Sequence, residues 1–369
     1  ITQDDLGRVY YNTNPHPLRG DLFPSVYSLR NPNHGKLAGM NVLVSPDLTT
    51  WPARINPGVN RGYQPATLRD DFTLAKFTAA CGPHIFRGAA LGEELRGDAI
   101  VPEPSGNFVK RFDMNVKGGL GLVAENVYEG REFWTSTDER FRPVNAFGGP
   151  DGALYVVDMY RGILQHRMFV TTFLRKQILA RGLDRPLGLG RIWRVVPEEF
   201  ERPAPVDMSD WTWTALVDAL ASPHGWIRDT AQRLIVEEWD GDRETLARLR
   251  ATALEAPEPL ARLHALWCLE GVDGWTRELL LDAVRDPDPR VAAAALRVAE
   301  PYLSTGRHEI RDAVRAVGLA TDDPRLRHQV VLSLGAVRTD AGDAAIAALA
   351  GVDVSTAEMR SAVMSGLRG

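Results

Sequence analysis

The chain has 369 residues, of which 44% are hydrophobic and 25% charged, and its mean hydropathy of -0.20 is typical of a soluble globular protein with room for two or more domains. The net charge of -5 and the isoelectric point near 6.0 argue against a nucleic-acid binder, because no surplus of basic residues is available to neutralise phosphates. No apolar run approaches the ~18 residues that would indicate a transmembrane helix. The sequence begins at Ile1 rather than methionine, so we expect an export signal to have preceded it.

The chain contains two cysteines, Cys81 and Cys268, far apart in the sequence. They form neither a CxxC nor a CxxCH motif, which argues against a zinc ribbon, a thioredoxin-like centre and covalent attachment of a c-type haem. The sequence therefore predicts that both are small buried hydrophobic side chains.

Residues 1–198 are predicted to form one β-rich domain. Short runs of β-branched and aromatic residues alternate with turns rich in Gly, Pro and Asn. The runs are 7–11, 76–80, 98–101, 107–112, 120–124, 153–157 and 191–196. This spacing is typical of a sandwich, a barrel or a propeller. A turn followed by a strand with an aromatic residue recurs at 7–12 and 151–156 and favours the propeller.

Two segments interrupt the β pattern. Residues 13–62 are rich in Pro and Asn and predict a long surface excursion. Met168–Arg181 instead has the periodicity of an amphipathic helix, with Phe169, Phe173 and Ile178 near one face. It falls between two predicted strands, so we expect a helical flap at a blade edge.

Residues 199–209 are predicted to be a linker, because the stretch PEEFERPAP at 197–205 is charged and Pro-rich. Residues 210–369 have a helical pattern to the end. Four segments align on a common motif with anchor positions 227, 261, 291 and 326, which are 34, 30 and 35 residues apart. Three of the four follow an Asp-Pro or Glu-Pro pair, which suits a helix N-terminus. This opening resembles HEAT repeats and predicts a helical-hairpin solenoid of four to five pairs.

Most of the candidate functional residues flank the predicted hairpin 147–157. Two precede it and four follow it, namely Arg142, Asn145, Asp158, Tyr160, Arg161 and His166. Strand ends and loops of a propeller converge near its central channel, where ligands bind. The structural alternative is an ion pair between Arg142 and Asp158 that closes the blade, with His166 a solvated loop residue.

Two further candidate groups lie earlier in the chain. His84 follows Cys81 closely, but carboxylates at metal-ligand spacing are lacking, and a buried strand and turn would explain the same residues. Tyr63 and Gln64 lie in a polar loop, 60–65, just before a predicted strand. One hypothesis is that these two residues and His84 line a common pocket.

Long stretches of the first half resemble a known family. They include YYNTNPHPLRGDLFPSVYSLRNPN at 10–33, WPARINPGVNRGYQPATLR at 51–69 and STDERFRPVNAFGGPDGALYVVDMYRGILQHR at 136–167. These stretches are similar to the bacterial membrane-bound dehydrogenases of planctomycetes and verrucomicrobia, and the resemblance covers nearly all of residues 5–198. Members of that family typically carry helical repeats after the propeller, which agrees with the pattern of the second half.

The resemblance implies a six-bladed propeller like those of the soluble quinoprotein glucose and sorbosone dehydrogenases. It implies an exported enzyme, periplasmic or membrane-associated, that oxidises a sugar or polyol with pyrroloquinoline quinone (PQQ) and calcium as cofactors. The electron acceptor would be a c-type cytochrome domain or protein. Because this chain predicts only three to four blades and has no haem motif, we expect it to be an internal or C-terminal fragment of a longer protein.

If the chain is a dehydrogenase, the candidate residues are expected to divide the work by their chemistry and position. His166 and Asp158 would be catalytic, with one of them as the base. Tyr63, Gln64 and His84 would bind the substrate. The cofactor contacts would be Arg142, Asn145, Tyr160 and Arg161. The alternative is a non-catalytic module that binds a carbohydrate or a protein partner.

Overall fold

The structure is a computed structural model that describes residues 1–35, 37–56, 59, 61–114, 120–304 and 308–368. It contains two compact units. The β unit comprises Ile1–Asp21 and most of residues 41–205, and the helical unit comprises Leu22–Met40 and the chain from Val206 onward. The protein is therefore of the β plus α class, in agreement with the sequence-based prediction of its coarse architecture.

The β unit contains three open antiparallel sheets. The first sheet has the order β1 (Thr2–Gln3), β2 (Val9–Thr13), β3 (His16–Gly20) and β4 (Val42–Leu43). The second has the order β5 (His84–Ile85), β6 (Ala99–Glu103), β7 (Phe108–Asp113) and β8 (Glu125–Asn126), and β9 (Trp134–Thr135) also pairs with β7. The third has the order β10 (Pro143–Gly148), β11 (Leu154–Asp158) and β12 (Arg191–Val195).

The first strands of the three sheets lie next to one another, with β5 in contact with both β1 and β10. The N–H of Ile85 donates to Oγ1 of Thr2 at 3.2 Å, and Gly82 forms a parallel bridge with Asn145. A common apolar core then joins the second and third sheets. Its buried members are Phe86, Leu95, Ile100, Val109, Phe141, Ala146, Leu154 and Val156. Burial of each larger side chain contributes about 2 kcal/mol, so this core fixes the two sheets together.

The turn between β10 and β11 forms where the sequence predicts it. Gly152 adopts a φ of 74°, which glycine tolerates without strain. Asp151 holds the turn by accepting hydrogen bonds from the N–H of Ala153 at 3.1 Å and the hydroxyl of Tyr155 at 2.9 Å. The turn also passes close to Gly88, where a Cβ atom would lie only 2.1 Å from the Gly152 carbonyl oxygen. A side chain at position 88 would therefore displace the turn.

Two of the predicted strands, 76–80 and 120–124, are absent from the structure. In the first, the N–H groups of Thr78 and Ala79 donate to the carboxylate of Glu103 at 3.2 and 2.9 Å. These donors are therefore not available for a neighbouring strand. In the second, the chain stays irregular until β8 begins.

Two kinds of helix occur. In the β unit, α1 (Thr172–Arg181) lies between β11 and β12, within the segment predicted to be helical. The helical unit contains α2 (Trp213–Ala219), α3 (Gly225–Glu237), α4 (Arg243–Glu255), α5 (Pro259–Gly271), α6 (Arg277–Ala283), α7 (Pro289–Leu303), α8 (His308–Ala320), α9 (Pro324–Leu334), α10 (Asp340–Ala350) and α11 (Ala357–Gly366). None of the helices in the described part of the chain is long and apolar enough to cross a membrane.

The helices of the helical unit are arranged as five antiparallel pairs in two layers. One layer contains α2, α4, α6, α8 and α10, and the other contains α3, α5, α7, α9 and α11, with contacts between successive members. Four arginines at equivalent positions each donate to a carbonyl oxygen six residues earlier. The pairs are Arg228 to Ser222, Arg262 to Ala256, Arg327 to Thr321 and Arg360 to Val354. These bonds repeatedly satisfy carbonyls in the loop that follows the first helix of a pair.

Residues 22–40 lie against the last three pairs of the helical unit. Oε1 of Glu300 accepts a hydrogen bond from the Tyr27 hydroxyl at 2.5 Å, and Oε2 of Glu300 pairs with Arg30 at 2.7 Å. The side chain of Asn31 donates to the carbonyl of Met364 at 2.7 Å. This part of the predicted surface excursion is therefore a packed element of the helical unit.

Candidate functional site

Asp158 lies at the end of β11 and is only 1% exposed. Its Oδ1 accepts hydrogen bonds from the backbone N–H groups of Arg142 and Tyr160, both at 2.8 Å. Its Oδ2 accepts a hydrogen bond from Nε1 of Trp193 at 3.1 Å. The carboxylate that the sequence analysis predicts to be catalytic thus accepts three hydrogen bonds from within the protein. These bonds connect β10, β11 and β12.

The guanidinium group of Arg142 is bonded to backbone carbonyls. It donates to Pro104 at 2.6 Å, to Arg161 at 3.0 Å and to Gly162 at 3.1 Å. Burial lowers the pKa of Arg142 to about 10. The expected link to Asp158 exists, but it uses the backbone N–H of Arg142, and the side chain instead holds the polypeptide that leaves β11.

Asn145 and Tyr160, two more of the predicted cofactor contacts, are also bonded within the protein. Oδ1 of Asn145 accepts a hydrogen bond from the N–H of Ala146 at 2.9 Å. The Tyr160 hydroxyl donates to Oδ2 of Asp138 at 2.8 Å, and the guanidinium of Arg191 lies 3.8 Å from the centre of its ring. Tyr160 has a φ of 44°, a strained value for a bulky residue, and Asp158 stabilises it through the backbone bond.

Glu139 joins two arginines that the sequence analysis did not select. It pairs with Arg54 at 3.0 Å and with Arg181, the last residue of α1. Burial lowers the pKa of Arg54, and the neighbouring Glu139 opposes that shift. Arg140 also donates to the carbonyl of Gly182 at 2.9 Å. These contacts fasten α1 to the sheets, and no spacing in the sequence indicates that residues 54, 139 and 181 meet.

Replacing Glu139 with Gln is expected to loosen α1. Two arginines would lose their shared carboxylate in a half-buried setting, which should cost about 2 kcal/mol. Hydrogen exchange of α1 should become about thirtyfold faster, since each 1.4 kcal/mol is about a factor of ten. Glu237→Gln is the matched control, because Glu237 pairs with Arg233 on an exposed helix surface with both side chains 57% exposed. Unchanged exchange in α1 would show that the Glu139 contacts do not hold the helix.

The insertion between β11 and β12, residues 159–190, is strongly basic. It contains six arginine or lysine residues and one acidic residue, Asp184, a net charge of +5. Helix α1 begins at the cap formed by Thr171 and buries Leu174 and Ile178. Five of the six cations are exposed, namely Arg161, Arg167, Arg175, Lys176 and Arg185. His166 is exposed as well, and its Nδ1 accepts a long hydrogen bond of 3.4 Å from a backbone N–H.

The loop that contains Tyr63 and Gln64 lies beside this insertion. A Cβ atom on Gly62 would be 3.3 Å from the ring of Phe173 in α1. Tyr63 is 61% exposed and Gln64 is exposed, while Asn60 lies outside the described residues. We call the exposed side chains of residues 61–64 and 159–190 the cationic face. It includes the predicted residues Tyr63, Gln64, Arg161 and His166.

His84 lies apart from that loop, on β5. The residue is partly exposed, but its Nε2 atom is buried and has no hydrogen-bond partner among the described residues. Gly148 of β10 is its neighbour, since a Cβ atom there would lie 3.3 Å from Nε2. Burial, with a smaller effect of the positive charge of Arg87, lowers the pKa of His84 to about 4. The imidazole is therefore neutral at pH 7.

The shifted pKa of His84 predicts acid sensitivity. Between pH 6.5 and about 4 the unfolded chain binds a proton at this position and the folded chain does not, so stability falls by up to about 3 kcal/mol as the pH falls. Urea unfolding at several pH values measures this effect. The free energy of unfolding should decrease less on acidification in His84→Gln than in the wild type. His166→Gln is the control, because that histidine is exposed. Equal pH dependence in both variants would contradict the assignment.

Glu103 and Cys81 provide no reactive group. Burial raises the pKa of Glu103 to about 7, although backbone N–H groups of Ala79, Thr78 and Ser105 bond to its oxygens. Burial raises the pKa of the Cys81 thiol to about 11, which keeps it protonated.

Two of the four predicted cofactor contacts use their donors within the protein. The guanidinium of Arg142 and the hydroxyl of Tyr160 have partners there, whereas a carboxylated quinone such as PQQ requires unengaged donors. The Asn145 bond uses the amide oxygen, and Arg161 is exposed with no carboxylate partner among the described residues. In the described part of the chain, no group of three or more His, Cys, Asp or Glu side chains could hold a metal ion. PQQ and calcium therefore remain predictions from the resemblance.

The comparisons with known proteins place the β unit in a family. No curated protein matches the chain. Residues 1–199, which are more than half of the chain, match the family described as Domain of unknown function (DUF7133). The chain therefore belongs to the DUF7133 family.

Proposed function

We propose that the three sheets are neighbouring blades of a β-propeller and that the helical unit is a solenoid of HEAT-like repeats. The adjacency of β1, β5 and β10 supports the first assignment, because the innermost strands of successive blades lie side by side. The five stacked helix pairs support the second. Both assignments agree with the resemblance to the bacterial membrane-bound dehydrogenases.

Within this architecture, the chain binds a sugar or polyol on the cationic face. The observation that carries the proposal is the packing of Gly62 against Phe173, which places Tyr63 and Gln64 beside the basic insertion. An exposed tyrosine ring offers an apolar surface to the C–H face of a sugar. Glutamine and arginine side chains supply donors and acceptors for hydroxyl groups. The chain would thus be the carbohydrate-binding part of a dehydrogenase-type protein.

Calorimetry of the full chain with sorbitol, glucose and cellohexaose tests this proposal. We expect binding of at least one of them, and Tyr63→Ala should weaken it about tenfold through loss of ring contact. His166→Ala should leave folding intact and weaken the same binding. Phe147→Ala is the control, because Phe147 is similarly exposed, at 50%, but lies on β10. The proposal fails if none of the three ligands binds, or if Tyr63→Ala and Phe147→Ala change the binding affinity by the same factor.

A second candidate function is oxidation of a sugar or polyol at a separate position, beside His84. The resemblance carries this candidate. The buried Nε2 of His84 has no hydrogen-bond partner among the described residues, so it could accept the proton of a substrate hydroxyl once a movement at Gly148 exposes it. By the same resemblance the protein would be exported and would deliver electrons to a c-type cytochrome. The histidine in this role would be His84 rather than His166.

Dye-linked oxidation separates the two functions. The full chain is assayed with glucose and sorbitol in the presence of added PQQ and calcium. The oxidation is supported if His84→Gln abolishes turnover and His308→Gln, at an exposed histidine of α8, leaves turnover within threefold. Sugar binding without any turnover would leave the chain as a non-catalytic binding module.

A further inference from the structure

The charge of the insertion differs from that of the rest of the molecule. The whole chain has a net charge of -5, whereas residues 159–190 carry +5. Five cations of the insertion, Arg161, Arg167, Arg175, Lys176 and Arg185, have no carboxylate partner among the described residues. Arginines elsewhere commonly have one, as in the pairs of Arg262 with Asp286 and Arg87 with Asp5. These five cations of the insertion are therefore available to an anionic ligand.

These unpaired cations lie around a helix that is held in place. The contacts of Glu139 and Arg140 fix the C-terminal end of α1, and Leu174 and Ile178 anchor its inner side. Arg175 and Lys176 are on the exposed side of the same helix. A fixed backbone lowers the entropy that must be lost when charged side chains bind a ligand.

The insertion exposes apolar as well as charged side chains. Leu174 and Ile178, on the inner side of α1, are 3% and 5% exposed. Met168, Phe169 and Leu179 are instead 82%, 64% and 66% exposed. Exposed apolar and basic side chains in one insertion also fit a membrane interface, so an anionic membrane surface is the competing ligand in the test. We favour a carbohydrate because the loop 61–64, next to α1, adds a tyrosine ring and a glutamine amide, which suit a ligand with both apolar and hydroxyl surfaces.

We propose that the cationic face binds a carbohydrate that carries carboxylate or sulfate groups. This inference rests on the proposed carbohydrate binding and specifies its class. Guanidinium groups form paired hydrogen bonds with carboxylates and with the oxygens of sulfate esters, and lysine adds a point charge. The sugar rings between the charged groups would lie against Tyr63.

The test measures binding of the full chain to three polymers of different charge: polygalacturonate, dextran sulfate and neutral dextran. We expect at least tenfold tighter binding to one or both anionic polymers than to dextran, weakening as salt rises. Polygalacturonate and dextran sulfate distinguish a carboxylate ligand from a sulfate ligand. Vesicles with 30% phosphatidylglycerol form a fourth arm, and equal or tighter binding to them would overturn the proposal in favour of a membrane surface.

Two double variants with the same change of charge make the test specific. Arg175→Gln with Lys176→Gln removes two cations of the face, and Arg315→Gln with Arg338→Gln removes two exposed cations of the helical unit. The first should weaken binding to the preferred anionic polymer about tenfold, and the second less than twofold. Equal weakening in both would overturn the inference, because only the net charge would then matter.

The outcomes also separate this inference from the function on which it rests. In one outcome, the chain binds dextran or cellohexaose as tightly as the anionic polymers, and Tyr63→Ala weakens that binding. This result would refute an anionic ligand but would retain the carbohydrate-binding site. Absence of binding to every carbohydrate would refute both.

Discussion

Replacing Asp158 with Ala is expected to lower the free energy of unfolding by about 4 kcal/mol. The variant would leave the N–H groups of Arg142 and Tyr160 and Nε1 of Trp193 without their acceptor in a site where Asp158 is 1% exposed. Each buried donor without a partner costs about 1–3 kcal/mol. The effect should appear in urea unfolding of the β unit, independently of any ligand.

Asp158→Asn should have a smaller effect, about 2 kcal/mol. Its amide oxygen can still accept from both backbone groups, but its NH₂ group then faces Nε1 of Trp193, a second donor. Asp184→Ala is the control, because Asp184 lies on the exposed surface of the neighbouring insertion. If Asp158→Ala unfolds like the wild type while losing ligand binding, Asp158 belongs to the binding site and its structural assignment is wrong.

Replacing Glu300 with Ala is expected to cost about 3 kcal/mol in the helical unit. The carboxylate accepts hydrogen bonds from Tyr27, Arg30 and Ser333, and the Arg30 and Glu300 side chains are each 17% exposed. Burial and the adjacent Glu300 both raise the pKa of Tyr27, so the phenol stays protonated and donates. Loss of the carboxylate would leave the hydroxyl groups of Tyr27 and Ser333 without this acceptor and Arg30 without its ion-pair partner. Arg30 would keep its bond to the Leu332 carbonyl.

Hydrogen exchange and urea unfolding of the full chain measure this effect. Exchange should become faster in residues 22–40 and in α7, α9 and α11. Glu309→Ala is the control, because Glu309 pairs with Arg277 on an exposed surface and should change stability by less than about 0.5 kcal/mol. Faster exchange confined to α7 would show that residues 22–40 do not depend on Glu300.

Periodicity in the sequence predicts most of the helical unit and part of the β unit. The acidic-Pro motifs mark the helices that begin at Pro259, Pro289 and Pro324. Turn residues similarly mark the hairpin at 149–152. The docking of residues 22–40 has no comparable signal, because it depends on Tyr27, Arg30 and a glutamate 270 residues later. Such pairings follow from the packed structure and not from local pattern.

The sequence also identifies the region of the candidate site better than the role of each residue. Arg142 and Asp158 do lie together, but the carboxylate bonds to a backbone N–H and the guanidinium to carbonyls. Composition cannot reveal which partner a polar side chain selects. The strand predicted at 76–80 is wrong for a related reason, since Glu103 binds two of its N–H groups.

Hydrogen exchange of the full chain, measured with and without saturating anionic polymer, identifies the surface that binds the ligand. Polygalacturonate and dextran sulfate are used in parallel. We expect slower exchange in residues 61–64 and 159–190 with at least one of them, and no change in α2 to α11. Protection confined to the helical unit, or bound polymer that protects neither loop 61–64 nor the insertion, would contradict binding at the cationic face.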